Sequence, residues 1–419
     1  MASLHIPIHQ RVFDNGLRVV IAPNHKSPVA CLSVGYKVGS KDEHRGKTGF
    51  AHLFEHLMFD GSANVARGEY DAYLSAAGGQ CNAYTAYDQT IYHEVVPSHQ
   101  LELALWLESD RMVKCGVRQI GLETQQKVII EEIGQTVEDQ PYGRWREAQA
   151  AVAYAPECSY SWEVYGSKAD VAAATMDDVR EFFGTFYRPD NACVVVAGDV
   201  CPEEAFRLAE RYFGDIPRGN GTPPRNKFLP EYRRNGYVCS EDNVPLAATV
   251  LSYHYGGMND DNYLTGAALA SIAGDGRSAR IYDALTRRRQ LASSVYVYPD
   301  LREHTSLLTF MAIAATPEIS CEELGEALHQ EISGLATDGV SSHEIGKARN
   351  SLATSLAYIL QTSAGAADAI TAQTLFWEQP DRVNTILDRY AALSDAQLND
   401  FVRETLHDDN CVRTDIVPS

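Results

Sequence analysis

Pro28-Val29-Ala30, followed by Tyr36 and Gly39, returns as Pro245-Leu246-Ala247 with Tyr253 and Gly256, every position displaced by 217. The match is short, but the two halves also end on similar apolar runs, Asn191–Gly198 and Asn410–Pro418. Between them, Gly214-Asp215-Ile216-Pro217-Arg218-Gly219-Asn220-Gly221-Thr222-Pro223-Pro224 has the composition of a linker. A chain of 419 residues can hold two or three domains, each with its own core. Duplication narrows this to two related domains, expected over 1–216 and 231–419 with a linker at 217–230.

Strand and helix signals are interleaved in the first half. Gln10–Phe13 and Leu17–Ile21 read as strands about the turn Asp14-Asn15-Gly16, and Pro28–Tyr36 reads as a third. Helical patterns cover Leu101–Lys114, Leu122–Gln135, Met176–Tyr187 and Pro202–Phe213, and Pro141-Tyr142-Gly143-Arg144-Trp145 begins another. Asn191–Asp199 is a buried strand by its unbroken apolar run.

One helix carries chemistry. In Gly49-Phe50-Ala51-His52-Leu53-Phe54-Glu55-His56-Leu57-Met58-Phe59, two histidines four apart stand one above the other, with Glu55 on the same side. Apolar residues occupy nearly the whole circumference, so the helix should be buried and its three ionisable groups need a partner. The ordinary alternative is three polar residues on an amphipathic helix. A metal ion is the simplest single partner, because H-x-x-E-H offers two nitrogen ligands and a carboxylate able to act on a water held by the metal. Zinc takes imidazole at about 2.0–2.1 Å and, in hydrolytic sites, keeps one position open beside three protein ligands. In the second copy Leu269, Ile272 and Ala273 fall where His52, Glu55 and His56 stand, so one zinc per chain is expected. Gly46-Lys47-Thr48 is no phosphate loop, since six residues separate it from Gly39 where four are required; Thr48 is expected to cap the helix instead.

A third ligand is sought in Glu123-Thr124-Gln125-Gln126-Lys127-Val128-Ile129-Ile130-Glu131-Glu132-Ile133, where Leu122, Val128, Ile129 and Ile133 form an apolar stripe. Glu131 and Glu132 point about 100° apart, so only one can face the site, and either could be plain helix surface. With Glu132 lying 76 positions after His56, the sequence resembles the pitrilysin family, which includes insulin-degrading enzyme and the mitochondrial processing peptidases. The resemblance covers essentially the whole chain. It implies an α+β fold of two homologous domains, each a mainly antiparallel sheet with helices packed on it. It assigns the metal to His52, His56 and Glu132 and the general base to Glu55, in a zinc endopeptidase acting on peptides or unfolded segments in a closed chamber. Relatives that keep the fold but lose catalysis leave a structural or peptide-binding subunit as the alternative.

The resemblance also implies partners for the substrate. Gly78-Gly79-Gln80-Cys81-Asn82-Ala83-Tyr84-Thr85 is similar to the family strand G-x-x-N-A-x-T, which makes Asn82, Ala83 and Tyr84 the residues pairing with an extended peptide. Gln125 stands where many members carry a second glutamate, so the site should be less anionic than usual. Family members with a complete site place an arginine and a tyrosine in a second-half segment L-R-x-x-x-x-L-x-Y. The matching segment, Leu285–Ser293, has Thr286 and Ser293 at those positions; a one-residue slip would bring in Arg287, with Tyr296 or Tyr298 substituting. The expected partner is therefore a homologous subunit without the metal, in a heterodimer, with a homodimer as alternative.

A formal net charge of −20 disfavours nucleic acid and anionic membranes. Nine cysteines are spread singly with no C-x-x-C pair, which reads as reduced thiols. No signal peptide or membrane span is legible, so a cytoplasmic location is expected, or a periplasmic one if a leader has been removed.

Overall fold

Strand β1 (His9–Val12) turns back antiparallel on β2 (Arg18–Pro23), and the Gly16 amide donates to the Phe13 carbonyl to close the turn between them. The computed structural model describes residues 5–226 and 235–419. With β3 (Val29–Tyr36), β4 (Gln80–Thr85), β5 (Thr90–Pro97) and β6 (Ala192–Gly198), these strands make one sheet in the order β1-β2-β6-β3-β5-β4. A second sheet has β7 (Gly236–Asp242), β8 (Ala248–Gly256), β9 (Ala292–Asp300), β10 (Thr305–Ala314) and β11 (Cys411–Pro418), in the order β7-β11-β8-β10-β9. Setting β1 aside, the two orders are the same. Each has one parallel pair, β2 with β6 and β7 with β11, in an otherwise antiparallel sheet. The fold is α+β and duplicated, as the repeated prolines and tyrosines predict.

The chain divides into two compact units, but not by a single cut at 217–230. Met1–Glu131, Val164–Asn226 and Ala357–Ile386 form the first; Glu132–Glu163, Lys227–Leu356 and Leu387–Ser419 form the second. Each half of the chain thus lends a helical piece to the other unit. The described part of the expected linker, 217–226, has no helix or strand, and 227–230 lies outside the described residues. Its end is tied to the first unit: Asn226 Nδ2 donates to the carbonyls of Lys41 and Glu43, at 2.6 and 2.8 Å.

In the first unit, the helix Ser363–Trp377 covers one face of the sheet. Thr371 Oγ1 donates to Ser33 Oγ at 2.9 Å, and a Cβ on Gly35 would lie 2.5 Å from Thr371 Cγ2, so a glycine is needed for the helix to come this close. The motif helix Phe50–Leu57 and the helix Leu101–Val113 cover the other face, where the Tyr92 hydroxyl lies 3.4 Å from the Phe54 carbonyl. In the second unit, Trp145 of the helix Trp145–Ala153 packs on Val244, Ala248, Val250, Met311 and Ile416. The offset of 217 places Trp145 at Thr362, the cap of Ser363–Trp377, so the two lent helices are counterparts. Leu269, Ile272 and Ala273 lie in the second core with Leu251, Tyr253 and Phe310. None of the described helices is long and apolar enough to cross a membrane.

Candidate metal centre

The motif helix begins at Gly49, whose φ of +82° is open to glycine and strained for other residues. Thr48 does not cap it. The Thr48 hydroxyl instead donates to Asp170 Oδ2 at 2.6 Å, and the cap is the carboxylate of Glu43, which accepts from the Gly49 amide at 2.9 Å and the Ala51 amide at 2.7 Å. Glu43 is 3% exposed, so two amide donors at the helix start are satisfied by one buried anion that also suits the positive end of the helix dipole. Local rules look for the cap one residue before the helix; a carboxylate six residues upstream of Gly49 escapes them.

Phe50, Leu53, Phe54, Leu57 and Met58 are buried, as the apolar circumference predicts. His52 is buried as well, while Glu55 and His56 are half-buried. The helix Gln119–Ile133 presents Glu132 on its last turn, and the candidate ligand atoms of His52, His56 and Glu132 all lie within 4.8 Å of one another. Glu131 is exposed. Leu122, Ile129 and Ile133 are buried as the stripe requires, whereas Val128 is exposed. Gln125 is half-buried and its side chain makes no hydrogen bond among the described residues; its neighbour Gln126 anchors the helix, with Nε2 within 3.1 Å of the carbonyls of Val171, Ala172 and Ala174. The His52 ring is braced on two sides at right angles, by His56 and by Tyr165, each with centroids 4.8 Å away. Two imidazoles and one carboxylate at this spacing fit the donor set of a hydrolytic zinc site.

Beside this group, Thr85 Oγ1 donates to Glu55 Oε2 at 2.7 Å. Thr85 ends β4, the outermost strand of its sheet, so among the described residues one side of β4 has no strand beside it. The Ala83 amide donates to Asn82 Oδ1 at 2.9 Å; with the Ala86 amide closing the turn on the Gln89 carbonyl, alternate residues of β4 bond to β5, which leaves the Ala83 amide on that open side. The Tyr84 side chain points to the opposite face, where its hydroxyl donates to Asp368 at 2.6 Å. Burial, and then the Asp368 charge, push that phenol well above its ordinary pKa.

The segment expected to lack the arginine and tyrosine lies in the second unit. Thr286 sits in the helical turn Asp283–Arg288, and Arg287 pairs with Asp283 at 3.0 Å. Ser293 Oγ donates to the Ile313 carbonyl at 3.3 Å. Tyr296 is exposed, and Tyr298 has the Arg146 guanidinium 5.5 Å from its ring centroid.

Behind the motif helix lies a charged cluster that pattern reading gives no reason to expect. Glu94 on β5 and Glu108 and Arg111 on Leu101–Val113 have no exposed side-chain surface. Arg111 Nε donates to Glu108 Oε2 at 2.9 Å, and its guanidinium lies 4.2–4.9 Å from the ring centroids of Phe59, Tyr70 and Tyr92. The Tyr70 hydroxyl is 2.6 Å from Glu94 Oε1 and 3.0 Å from Glu108 Oε1. Burial, then the Glu108 charge, push the Glu94 carboxyl well above the usual carboxylate range, with Arg111 pulling the other way.

Residues 18–155 match the family model described as insulinase (peptidase family M16), and residues 173–352 the one described as peptidase M16 inactive domain. The zinc protease PqqE of Helicobacter pylori is 28% identical over 353 residues, 83% of this chain and 79% of that protein. The mitochondrial-processing peptidase subunit beta of Blastocladiella emersonii is 24% identical over 386 residues, 89% of this chain and 81% of that protein. The crystal structure of a protease from Helicobacter pylori has the same fold, with a TM-score of 0.93 at 24% identity over 99% of this chain and 100% of that one.

Proposed function

The chain belongs to the insulinase (M16) peptidase family, and from that premise we propose that it is a zinc-dependent endopeptidase holding one metal ion through His52, His56 and Glu132, with Glu55 as general base. The convergence of the three donors within 4.8 Å carries the proposal. When bound, zinc would supply Lewis acidity to the scissile carbonyl and acidify a water. Glu55, one residue before His56 and hydrogen-bonded by Thr85, takes the proton of the attacking water and delivers it to the leaving amine. The open side of β4 receives an extended peptide by main-chain hydrogen bonds. A peptide carbonyl there replaces Asn82 Oδ1 on the Ala83 amide, while Tyr84, its backbone turned to β5 and its hydroxyl held by Asp368, anchors the strand rather than the peptide.

The test is cleavage of a quenched peptide by zinc-loaded protein. Chelation should stop it and zinc restore it, while Glu55→Gln should keep zinc and peptide binding but lose about 10²–10⁴-fold in turnover. Equal cleavage by Glu55→Gln would remove Glu55 as the base. The second reading, a peptide-binding subunit without catalysis, is favoured by the match of residues 173–352 to a model described as inactive; zinc-loaded protein that binds peptide without cutting it would establish it.

The same reading extends to a partner. With Thr286 and Ser293 in the key segment, the arginine and tyrosine that stabilise the oxyanion come from a homologous chain that need not bind metal, or from a second copy of this one. The isolated protein should bind zinc yet cleave about 10²–10³-fold below the rate reached with the partner. Full activity of the chain alone as a monomer would refute the partner.

A further inference from the structure

Thr85 is the one hydroxyl on the strand β4 that faces the motif helix. Side chains alternate along the strand, so Ala83 and Thr85 share the face of the motif helix, while Asn82 and Tyr84 share the face of Ser363–Trp377. Thr85 Oγ1 has one proton and two acceptors near it, Glu55 Oε2 at 2.7 Å and the Ala51 carbonyl at 3.5 Å. The shorter contact is to the carboxylate, the stronger acceptor.

We propose that Thr85 is a positioning residue that fixes the rotation of the Glu55 carboxylate, holding Oε2 and presenting Oε1 to the attacking water. This deepens the reading of Glu55 as the general base and rests on it. The terminal torsion of a glutamate is broad and roughly two-fold, so helix geometry alone leaves the carboxylate plane unset. Thr85 sets it from outside the helix, and Thr85 is itself set by the pairing of β4 with β5, in which it stands opposite Thr90. The β-branched side chain has few rotamers to lose, so the hydroxyl is already aimed before substrate arrives. Because the same strand offers its open side to the peptide, the base and the substrate are referenced to one backbone. A peptide seated on β4 is registered against the oxygen that takes the proton.

Three variants test this. Thr85→Val keeps the shape and removes the donor; Thr85→Ser keeps the donor; Glu55→Gln removes the base. Thr85→Val should retain zinc by elemental analysis and leave KM within about twofold, while kcat falls about ten- to hundred-fold, the scale of a misplaced catalytic group. Thr85→Ser should recover most of that loss. Adding Thr85→Val to Glu55→Gln should cost nothing further, since Thr85 acts through Glu55. Independently of turnover, crystals of the zinc-loaded variants should show the Glu55 carboxylate rotated or spread over two orientations in Thr85→Val and single in Thr85→Ser. A Glu55 carboxylate unmoved in Thr85→Val, a loss that adds to that of Glu55→Gln, or a loss that follows zinc content would each overturn the proposal. An inactive parent protein would count against the peptidase reading, and the crystals would still decide the role of Thr85.

Discussion

Replacing Glu94 by glutamine should change how the stability of this protein depends on pH more than it changes stability itself. Glu94, Glu108 and Arg111 have no exposed side-chain surface, and with all three ionised the cluster would hold one uncompensated negative charge against three aromatic rings. Burial and the Glu108 charge raise the Glu94 pKa well above 4.5, so the folded state keeps a proton there that the unfolded chain gives up. The sign follows from linkage. Below about pH 4.5 both states hold the proton and its stabilisation is fully present; above it, only the folded state holds it, and stability falls as pH rises towards the folded pKa. One proton corresponds to about 1.4 kcal/mol per pH unit. Glutamine is neutral at every pH and still accepts from the Tyr70 hydroxyl, so Glu94→Gln loses this slope. The assay is urea unfolding of both proteins at several pH values between 5 and about 7, followed through Trp106 on the helix that carries Glu108 and Arg111. In the difference between variant and parent, titrations of groups outside the cluster cancel. That difference should move towards the variant by about 1.4 kcal/mol per pH unit until the folded pKa is passed. A pH-independent difference would show Glu94 ionised in the folded protein and refute the reasoning.

Glu132→Gln should weaken zinc binding by at least about 10–100-fold while Glu131→Gln leaves it unchanged, because Glu131 is exposed; zinc retained on dialysis checks both. Glu43→Ala removes the acceptor of two amides at the start of the motif helix and should lower stability by roughly 1–3 kcal/mol, seen as a lower thermal midpoint together with weaker zinc binding in a competition titration. Arg111→Met leaves two carboxyl groups in a dry pocket without their cation and should destabilise by about 3–5 kcal/mol in the same urea assay.

The motif helix was legible because its chemistry and its burial both follow from one short stretch, His52 to Met58. The shared strand order of the two sheets was foreshadowed by the offset of 217, since a duplicated sequence folds into a duplicated topology. The destination of Trp145–Ala153 and Ser363–Trp377 was not legible. Periodicity says that a helix has a buried face; it does not say which sheet that face meets, and here each is lent to the other half's sheet. The Glu94–Glu108–Arg111 cluster escaped for a similar reason, since a glutamate and an arginine three apart on a helix look like a solvated pair until β5 is laid against them. Thr85 did leave a signal, as the threonine of the same G-x-x-N-A-x-T pattern that singled out Asn82, Ala83 and Tyr84; its role depends on a contact 30 residues away that no local pattern encodes.

The most direct test of the metal centre is diffraction from zinc-loaded crystals on either side of the zinc absorption edge. The expected result is one anomalous peak per chain, about 2.0–2.2 Å from one nitrogen each of His52 and His56 and an oxygen of Glu132, with Glu55 near the ion but not ligating it. A peak elsewhere, a peak lacking Glu132, or none at full zinc loading would contradict it.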